Sequence, residues 1–326
     1  MSILTEPVLG KHPELVEISN SEIQLYKQDK RRWWLGSYLG LAQNEKSEVG
    51  PLPLGTRIHD SLEQYYLHST NPVDTYNRLH REDQQRFLAT SEANFEELVK
   101  KFNDESELGR IMLEGYMDWM DEENPDARLE VVGAEKKLEY VMTNFNPRVK
   151  LIGKVDLQVK RLEDDSRASL DHKSALQFSD YYRFAHQSEQ LMMYTMLEML
   201  NPENEGVRVD GGIYNLLKKV KRSARAKPPF YERIDVRFNK QTMDSFWIRT
   251  CGTIRDIMET RDALDNGADP RYVCYPTPTM DWKTGSSPFF PVYSMLDDGS
   301  NAEAYLEEHF HQHNPNARYE IQEQIN

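Results

Sequence analysis

Two acids and a lysine are the residues of this chain best spaced for chemistry. Leu151-Ile-Gly-Lys-Val-Asp156 is followed fifteen positions after its aspartate by Asp171-His-Lys173. Hydrolysis of a phosphodiester needs a nucleophilic water, charge neutralisation on the transition state and support for the leaving oxygen. One or two Mg²⁺ or Mn²⁺ ions supply most of this and favour carboxylate, carbonyl and water oxygens. On that chemistry Asp156 and Asp171 are candidate metal ligands, with the backbone carbonyl of His172 as a third oxygen. Lys173, a compact cation on a flexible stem, is suited to orient the water or stabilise developing negative charge.

The elements that must position these groups are legible as alternation. From Val149 to Lys160, Val149, Leu151, Val155, Leu157 and Val159 alternate with Lys150, Lys154, Asp156, Gln158 and Lys160, which predicts a strand with Asp156 on its polar face. From Arg167 to Lys173 the same period puts Ser169, Asp171 and Lys173 on one face and Ala168, Leu170 and His172 on the other. A turn through Glu163, Asp164, Asp165 and Ser166 would set the acids side by side. An acid-x-Lys triplet also occurs at Glu135-Lys-Lys137 and Asp281-Trp-Lys283. Only Asp171 has an upstream Gly153-Lys-Val-Asp156 and an apolar helix after it. On that helix Gln190 and Tyr194 fall one turn apart on one face. Upstream, Gly55-Thr-Arg-Ile-His59 puts His59 near a helix start, where a neutral ring nitrogen can ligate a metal.

Taken in order, Gly-x-x-x-His, Gly-x-x-Asp, Asp-x-Lys and Gln-x-x-x-Tyr resemble the RecB-type branch of the PD-(D/E)XK nuclease superfamily. Within it the chain looks most like phage exonucleases related to the CRISPR-associated iron–sulfur exonucleases, over Ile18 to Asp298. The resemblance implies an α/β fold: a restriction-endonuclease-like core with a central mixed β-sheet flanked by helices and an added N-terminal helical region. It implies His59, Asp156, Asp171 and Lys173 as the metal-binding and catalytic set, Gln190 and Tyr194 as the helix motif, and Glu135 as an auxiliary acid. Members often carry four cysteines for an iron–sulfur cluster. Here Asp29, Met280, Thr284 and Tyr293 stand at the matching places, and none is a thiolate, so Mg or Mn is expected and no cluster. Packing of Trp33, Trp34, Trp282, Phe289 and Phe290 would let the chain ends meet instead, though core filling is the favoured reading of these aromatics.

The implied activity is a metal-dependent deoxyribonuclease, exonucleolytic on DNA ends in phage-type replication, recombination or repair, leaving a 5′ phosphate and a 3′ hydroxyl. Recombination or replication proteins are conceivable partners. The alternative is a catalytically silent nucleic-acid-binding or assembly protein with a nuclease fold.

Composition frames these readings. With 326 residues and a net charge of −14, the chain has ample apolar content for a core and is no simple polyanion-coating protein. Its basic residues are clustered: Lys27, Lys30, Arg31 and Arg32 run into Trp33-Trp34, and Lys218, Lys219, Lys221, Arg222, Arg225 and Lys227 lie in a stretch from Gly211 to Tyr231 without an acid. Lys27, Arg31, Arg32 and the second cluster are candidate contacts to a DNA backbone, with Trp33, Trp34 and Tyr231 beside them for stacking on single-stranded bases. Two cysteines, Cys251 and Cys274, read as ordinary thiols. The sequence has no membrane-length apolar stretch and no signal-peptide pattern at its N-terminus, so a cytoplasmic enzyme is expected, in the bacterial host cytoplasm if phage-encoded.

The expected organisation is an extended leader over 1–17, a nuclease domain over 18–298 and a polar tail over 299–326. The domain divides into a helical part (18–130), an α/β catalytic core (131–240) and a returning helix with a C-terminal loop (241–298). Ser19 or Ser21 caps a helix to about Leu41. Further helices are predicted at about 56–68, 73–103, 105–121, 180–200 and 240–266. Strands are predicted at 131–143, 148–161, 167–173, 207–220, with a bulge at Gly211-Gly212, and 230–238.

Overall fold

The structure, a computed structural model, describes residues 3–4, 6–44, 49–88, 95–278, 285 and 287–319. Met280, Asp281, Trp282 and Thr284 lie outside the described residues, as does the end of the tail. The chain forms two compact units. One comprises residues 1–46, 139–153 and 244–326; the other comprises 47–138 and 154–243.

In chain order the elements are β1 (Leu15–Ser19), α1 (Asn20–Gln28), α2 (Lys30–Trp33), a π-helical turn (Trp34–Tyr38) and β2 (Leu41–Gln43). Three helices follow, α3 (Pro51–His68), α4 (Pro72–Leu88) and α5 (Phe95–Glu123). Then come β3 (Leu129–Met142), β4 (Arg148–Arg161), β5 (Arg167–Ala175), α6 (Ser179–Phe184), α7 (Glu189–Leu200), β6 (Val209–Lys218) and β7 (Tyr231–Val236). The chain continues through α8 (Lys240–Asp265), α9 (Pro270–Val273), α10 (Phe290–Asp298), α11 (Ala302–His309) and β8 (Phe310–Gln312).

In the second unit a mixed sheet lies between helices. β4 and β5 are antiparallel, β5 and β6 parallel, and β6 and β7 antiparallel, with β3 on β4. On one face Leu54, Ile58 and Leu62 of α3 pack with Met112, Leu113 and Tyr116 of α5 against Leu217 and Tyr231. On the other, Leu191 of α7 packs with Phe178, Ala185, Tyr214, Leu216 and Val236. α7 is apolar nearly all round, as befits a helix buried on most sides. The strands of this region fall where expected within a few residues, and the fold is α/β with a central mixed sheet flanked by helices.

The largest local departure is the expected helix over 180–200. It breaks into α6, a 3₁₀ turn at Ala185–Gln187 and α7. Ser188 is the reason: its Oγ accepts from the Leu191 amide at 3.2 Å, which starts a new helix instead of continuing the old one. α3 also begins earlier than expected, because Pro51 at its first turn lacks an N–H that the helix would leave unpaired anyway. The long helical pattern over 73–121 is divided differently from the expectation, with α5 running unbroken from Phe95 to Glu123. The stretch read as a tail carries α11 and β8.

Gly211 sits in the expected bulge. Between Arg167↔Val209 and Ser169↔Gly212 the β5–β6 register slips by one residue. Gly211 has φ +80, and a Cβ there would lie 1.8 Å from the Val236 carbonyl oxygen. Gly211→Ala combines left-handed backbone with a backbone collision and is expected to destabilise the protein by more than about 2 kcal/mol, measured by chemical denaturation.

In the first unit β1 pairs in parallel with the first half of β4, and β2 pairs antiparallel with β8. Ser19 caps α1, accepting from the Glu22 amide at 3.3 Å. Asp29 caps α2 and accepts from the Tyr293 hydroxyl at 2.6 Å. Two of the positions matched to cluster cysteines are therefore joined by a hydrogen bond. Trp33, Trp34 and Phe289 are buried, as core filling requires, whereas Phe290 is 43% exposed.

Candidate active site

The residues singled out for chemistry meet within the second unit. β4 and β5 pair from Leu157↔Leu170 to Lys160↔Arg167, and Asp156 and Asp171 are the next residues beyond that ladder. Here the Asp156 carboxylate acts as the acceptor: its Oδ2 takes the His172 backbone N–H at 2.7 Å. The same oxygen lies 3.3 Å from Nδ1 of His59, on the third turn of α3. Lys173 Nζ lies 2.7 Å from Asp171 Oδ2, the two sharing a strand face by alternation. From α7, the Gln190 amide donates to Asp171 Oδ1 at 2.9 Å and to the Tyr194 hydroxyl at 3.1 Å. The i,i+4 spacing on α7 thus steadies a carboxylate on β5.

The electrostatics set the two acids apart. Asp171 is 2% exposed, and burial, reinforced by the Asp156 charge and opposed by Lys173, lifts its pKa to about 6. Asp156 is desolvated too, but the hydrogen bond and charge of His59, with help from Lys173, outweigh burial and hold it far below the usual carboxylate range. Burial pulls His59 down; its pairing with Asp156 more than offsets this and raises it. Lys173 is likewise desolvated, yet Asp171 keeps it firmly protonated. Burial pushes the Tyr194 hydroxyl up, so it stays neutral.

His172 was expected to contribute its backbone carbonyl, and its ring is engaged elsewhere. Its ring is buried, with Nδ1 2.8 Å from Asn215 Nδ2, so Nδ1 is the acceptor and the ring is neutral. Burial drives its pKa down to about 3. The ring stacks on Tyr66 at 5.7 Å and is built into the protein interior; only the backbone carbonyl remains a candidate ligand.

Glu135 is buried and ion-paired with Lys154, in a strand residue of φ +51. Burial lifts its carboxyl to about 7 against the pull of Lys154. Lys154 was not singled out from the sequence. Its signal was its place two residues before Asp156, on the same strand face.

Among the described residues no three His, Cys, Asp or Glu side chains are arranged as a ready-made metal cage. The donors nevertheless suit a hard cation. Asp171 Oδ2 is buried and is met by the Lys173 ammonium at 2.7 Å, and a carboxylate oxygen with one such partner keeps lone-pair capacity for a cation. Two carboxylates and a carbonyl are the oxygen set that Mg²⁺ or Mn²⁺ prefers.

The basic clusters fall in different units. Arg31 is buried and bidentate to Asp297 at 2.8 and 3.0 Å, so it braces the fold and is withdrawn as a DNA contact. Lys27 is exposed and Arg32 half-buried. In the second cluster Lys221 pairs with Asp104 and Glu107, Lys218 reaches the Lys227 carbonyl and Lys219 the Pro51 carbonyl. Arg222 stacks over Phe230 with its guanidinium 3.7 Å from the ring centroid. Arg225 and Lys227 are exposed. Trp33, Trp34 and Tyr231 are buried, which removes them as stacking platforms for bases.

No helix among the described residues is long and apolar enough to cross a membrane. A search of curated proteins returns no match. A solved structure titled "Crystal structure of SSO0001" aligns over 71% of this chain and 78% of that one at 10% identity, but its TM-score of 0.27 is too low to carry an argument. The family comparison is different in kind, since the model of the PD-(D/E)XK nuclease superfamily matches residues 17–270. Over that span, which holds His59, Glu135, Asp156, Asp171, Lys173, Gln190 and Tyr194, the chain belongs to the PD-(D/E)XK nuclease superfamily.

Proposed function

We propose that this nuclease-superfamily protein is a Mg²⁺- or Mn²⁺-dependent deoxyribonuclease of the RecB-type branch, working exonucleolytically at DNA ends in phage-type replication, recombination or repair. The observation that supports it best is the pairing of Lys173 with a buried Asp171 oxygen, with the Asp156 charge close enough to act on both. Asp156, Asp171 and the His172 carbonyl would hold the divalent ion, which when bound neutralises phosphoryl charge and acidifies water.

The chain's own residues divide the remaining work. Gln190, itself steadied by Tyr194, fixes the orientation of Asp171. The His172 amide fixes Asp156. His59 shares Asp156 and is either displaced from it or deprotonated to join as a nitrogen ligand. Lys173 offers an ammonium to the attacking water or to the developing charge on phosphorus-bound oxygen. Glu135 and Lys154 form a neighbouring pair that sets the local charge.

Incubation of end-labelled single- and double-stranded DNA with Mg²⁺ or Mn²⁺ tests the reading. Stepwise shortening from an end is expected, with 5′-phosphate products. Tight binding without cleavage in either metal would favour the catalytically silent alternative.

Backbone contacts are assigned to Lys27, Arg225 and Lys227, which are exposed, and to Arg32, which is half-buried. Arg225→Ala/Lys227→Ala is expected to lower the slope of log affinity against log salt by about 2, near 0.9 per lost phosphate contact on duplex DNA. A titration at several salt concentrations reads this directly, and an unchanged slope would exclude the pair.

A further inference from the structure

We infer that a cavity beside Tyr214, the cross-strand neighbour of Asp171, receives an unpaired nucleobase adjoining the scissile phosphate, which makes the substrate a single-stranded or frayed DNA end. The inference rests on the nuclease reading above and adds the state of the substrate.

The cavity, of about 250 Å³, is lined by Tyr181, Phe184, Gln187, Ser188 and Tyr214, among others, with Asp180 at its edge. It forms where the helix expected over 180–200 is broken at Ser188: α6 contributes Tyr181 and Phe184, and the 3₁₀ turn Gln187, to a lining shared with Ser188 and Tyr214. Its position ties it to the site. Tyr214 is the cross-strand partner of Asp171 in the parallel β5–β6 ladder, so their side chains leave the same face. Ser188 caps the helix whose first turn carries Gln190, and its hydroxyl meets that of Tyr214 at 2.5 Å. Burial raises the Tyr181 hydroxyl, but Lys173 and Asp171 are also close enough to influence it.

The lining suits a flat heterocycle. Tyr181 stands edge-on to Tyr214, with centroids 5.2 Å apart and planes at 80°, giving an aromatic wall and an aromatic floor. Phe184 is 46% exposed at the rim, and the Arg183 guanidinium lies 5.0 Å from its centroid. An exposed ring topped by a cation can stack on a base and face its phosphate together. Asp180 and Gln187, both exposed, bring an acceptor and an amide to the mouth for the polar edge of a base. The volume is below the roughly 300–1,000 Å³ of drug-sized pockets, so it takes one ring system and excludes a base pair. A base must leave its stack to enter.

The test is equilibrium binding with Ca²⁺ as the divalent ion, using single-stranded oligonucleotides that carry 2-aminopurine at either terminus or internally, and matched oligonucleotides with abasic termini. Quenching is expected at one terminus and not at the internal position. Phe184→Ala, at an exposed site where folding is not at risk, should abolish that quenching and weaken binding of the base-bearing end about tenfold, while binding of the abasic end is unchanged. Equal wild-type affinity for base-bearing and abasic ends, or an unaltered Phe184→Ala, would overturn the subsite and leave the nuclease reading standing. Failure to bind DNA of any form would overturn both.

Discussion

Lys173→Ala is expected to lower metal-dependent DNA cleavage by about 10²–10³-fold, the usual effect of removing one charge-stabilising donor from an active site. Two roles of Lys173 must be separated. It lies 2.7 Å from Asp171 Oδ2, so its loss leaves a buried carboxylate without its counter-charge. Asp171, already lifted to about 6 by burial, would then rise further and resist the metal at neutral pH. If holding Asp171 ionised were the whole role, assay at pH 9 would restore Lys173→Ala activity. The chemical role predicts no such recovery. Lys173→Arg, which retains charge but changes its shape, should preserve metal binding and still cleave poorly. Asp171→Asn is expected to lose more than about 10³-fold at every pH, because an amide cannot replace a carboxylate ligand. Wild-type cleavage rates in either lysine variant would remove Lys173 from the mechanism.

The second large effect is on metal binding as pH changes. A cation must displace the protons and ammonium groups that now hold the two acids. Below about 6, Asp171 is protonated, so each pH unit lost should weaken Mn²⁺ about tenfold. His59, raised by Asp156, adds a second proton to be released if it moves aside neutral or joins the metal. Thermal unfolding with and without Mn²⁺ should therefore show a clear stabilisation at pH 8 that is nearly gone at pH 5. Asp171→Asn should lack it at both.

The unliganded protein has the opposite trend in part of that range. Asp171 binds its proton more tightly folded, near 6, than at its ordinary 3.8. Its ionisation therefore costs stability as pH rises from about 4 to 6. Asp156 is depressed, so its contribution is present above 3.8 and is lost as pH falls below that value. A manganese shift of equal size at pH 5 and pH 8 would mean that the cation does not use Asp171.

Much of this site was legible before any coordinates. Alternation in 149–160 and 167–173 pointed to β4 and β5 and put Asp171 and Lys173 on one strand face, because side-chain direction in a strand repeats every two residues. The four-residue spacing of Gln190 and Tyr194 placed them together on α7 for the same local reason. Gly211 announced its bulge, since only a residue without a Cβ fits there.

What the sequence determined by itself was therefore the set of strands and helices around the acids, and the residue types available to them. Tertiary structure decided which of those groups stay free. It buried Arg31 against Asp297, engaged Lys221 with Asp104 and Glu107, and turned the His172 ring toward Asn215. It also set Lys154 on Glu135, raised Asp171 and split a helix at Ser188 to open a cavity beside it. Periodicity is local and survives in a linear string. Desolvation and ion pairing depend on what arrives from distant positions, and no spacing rule along the chain records that.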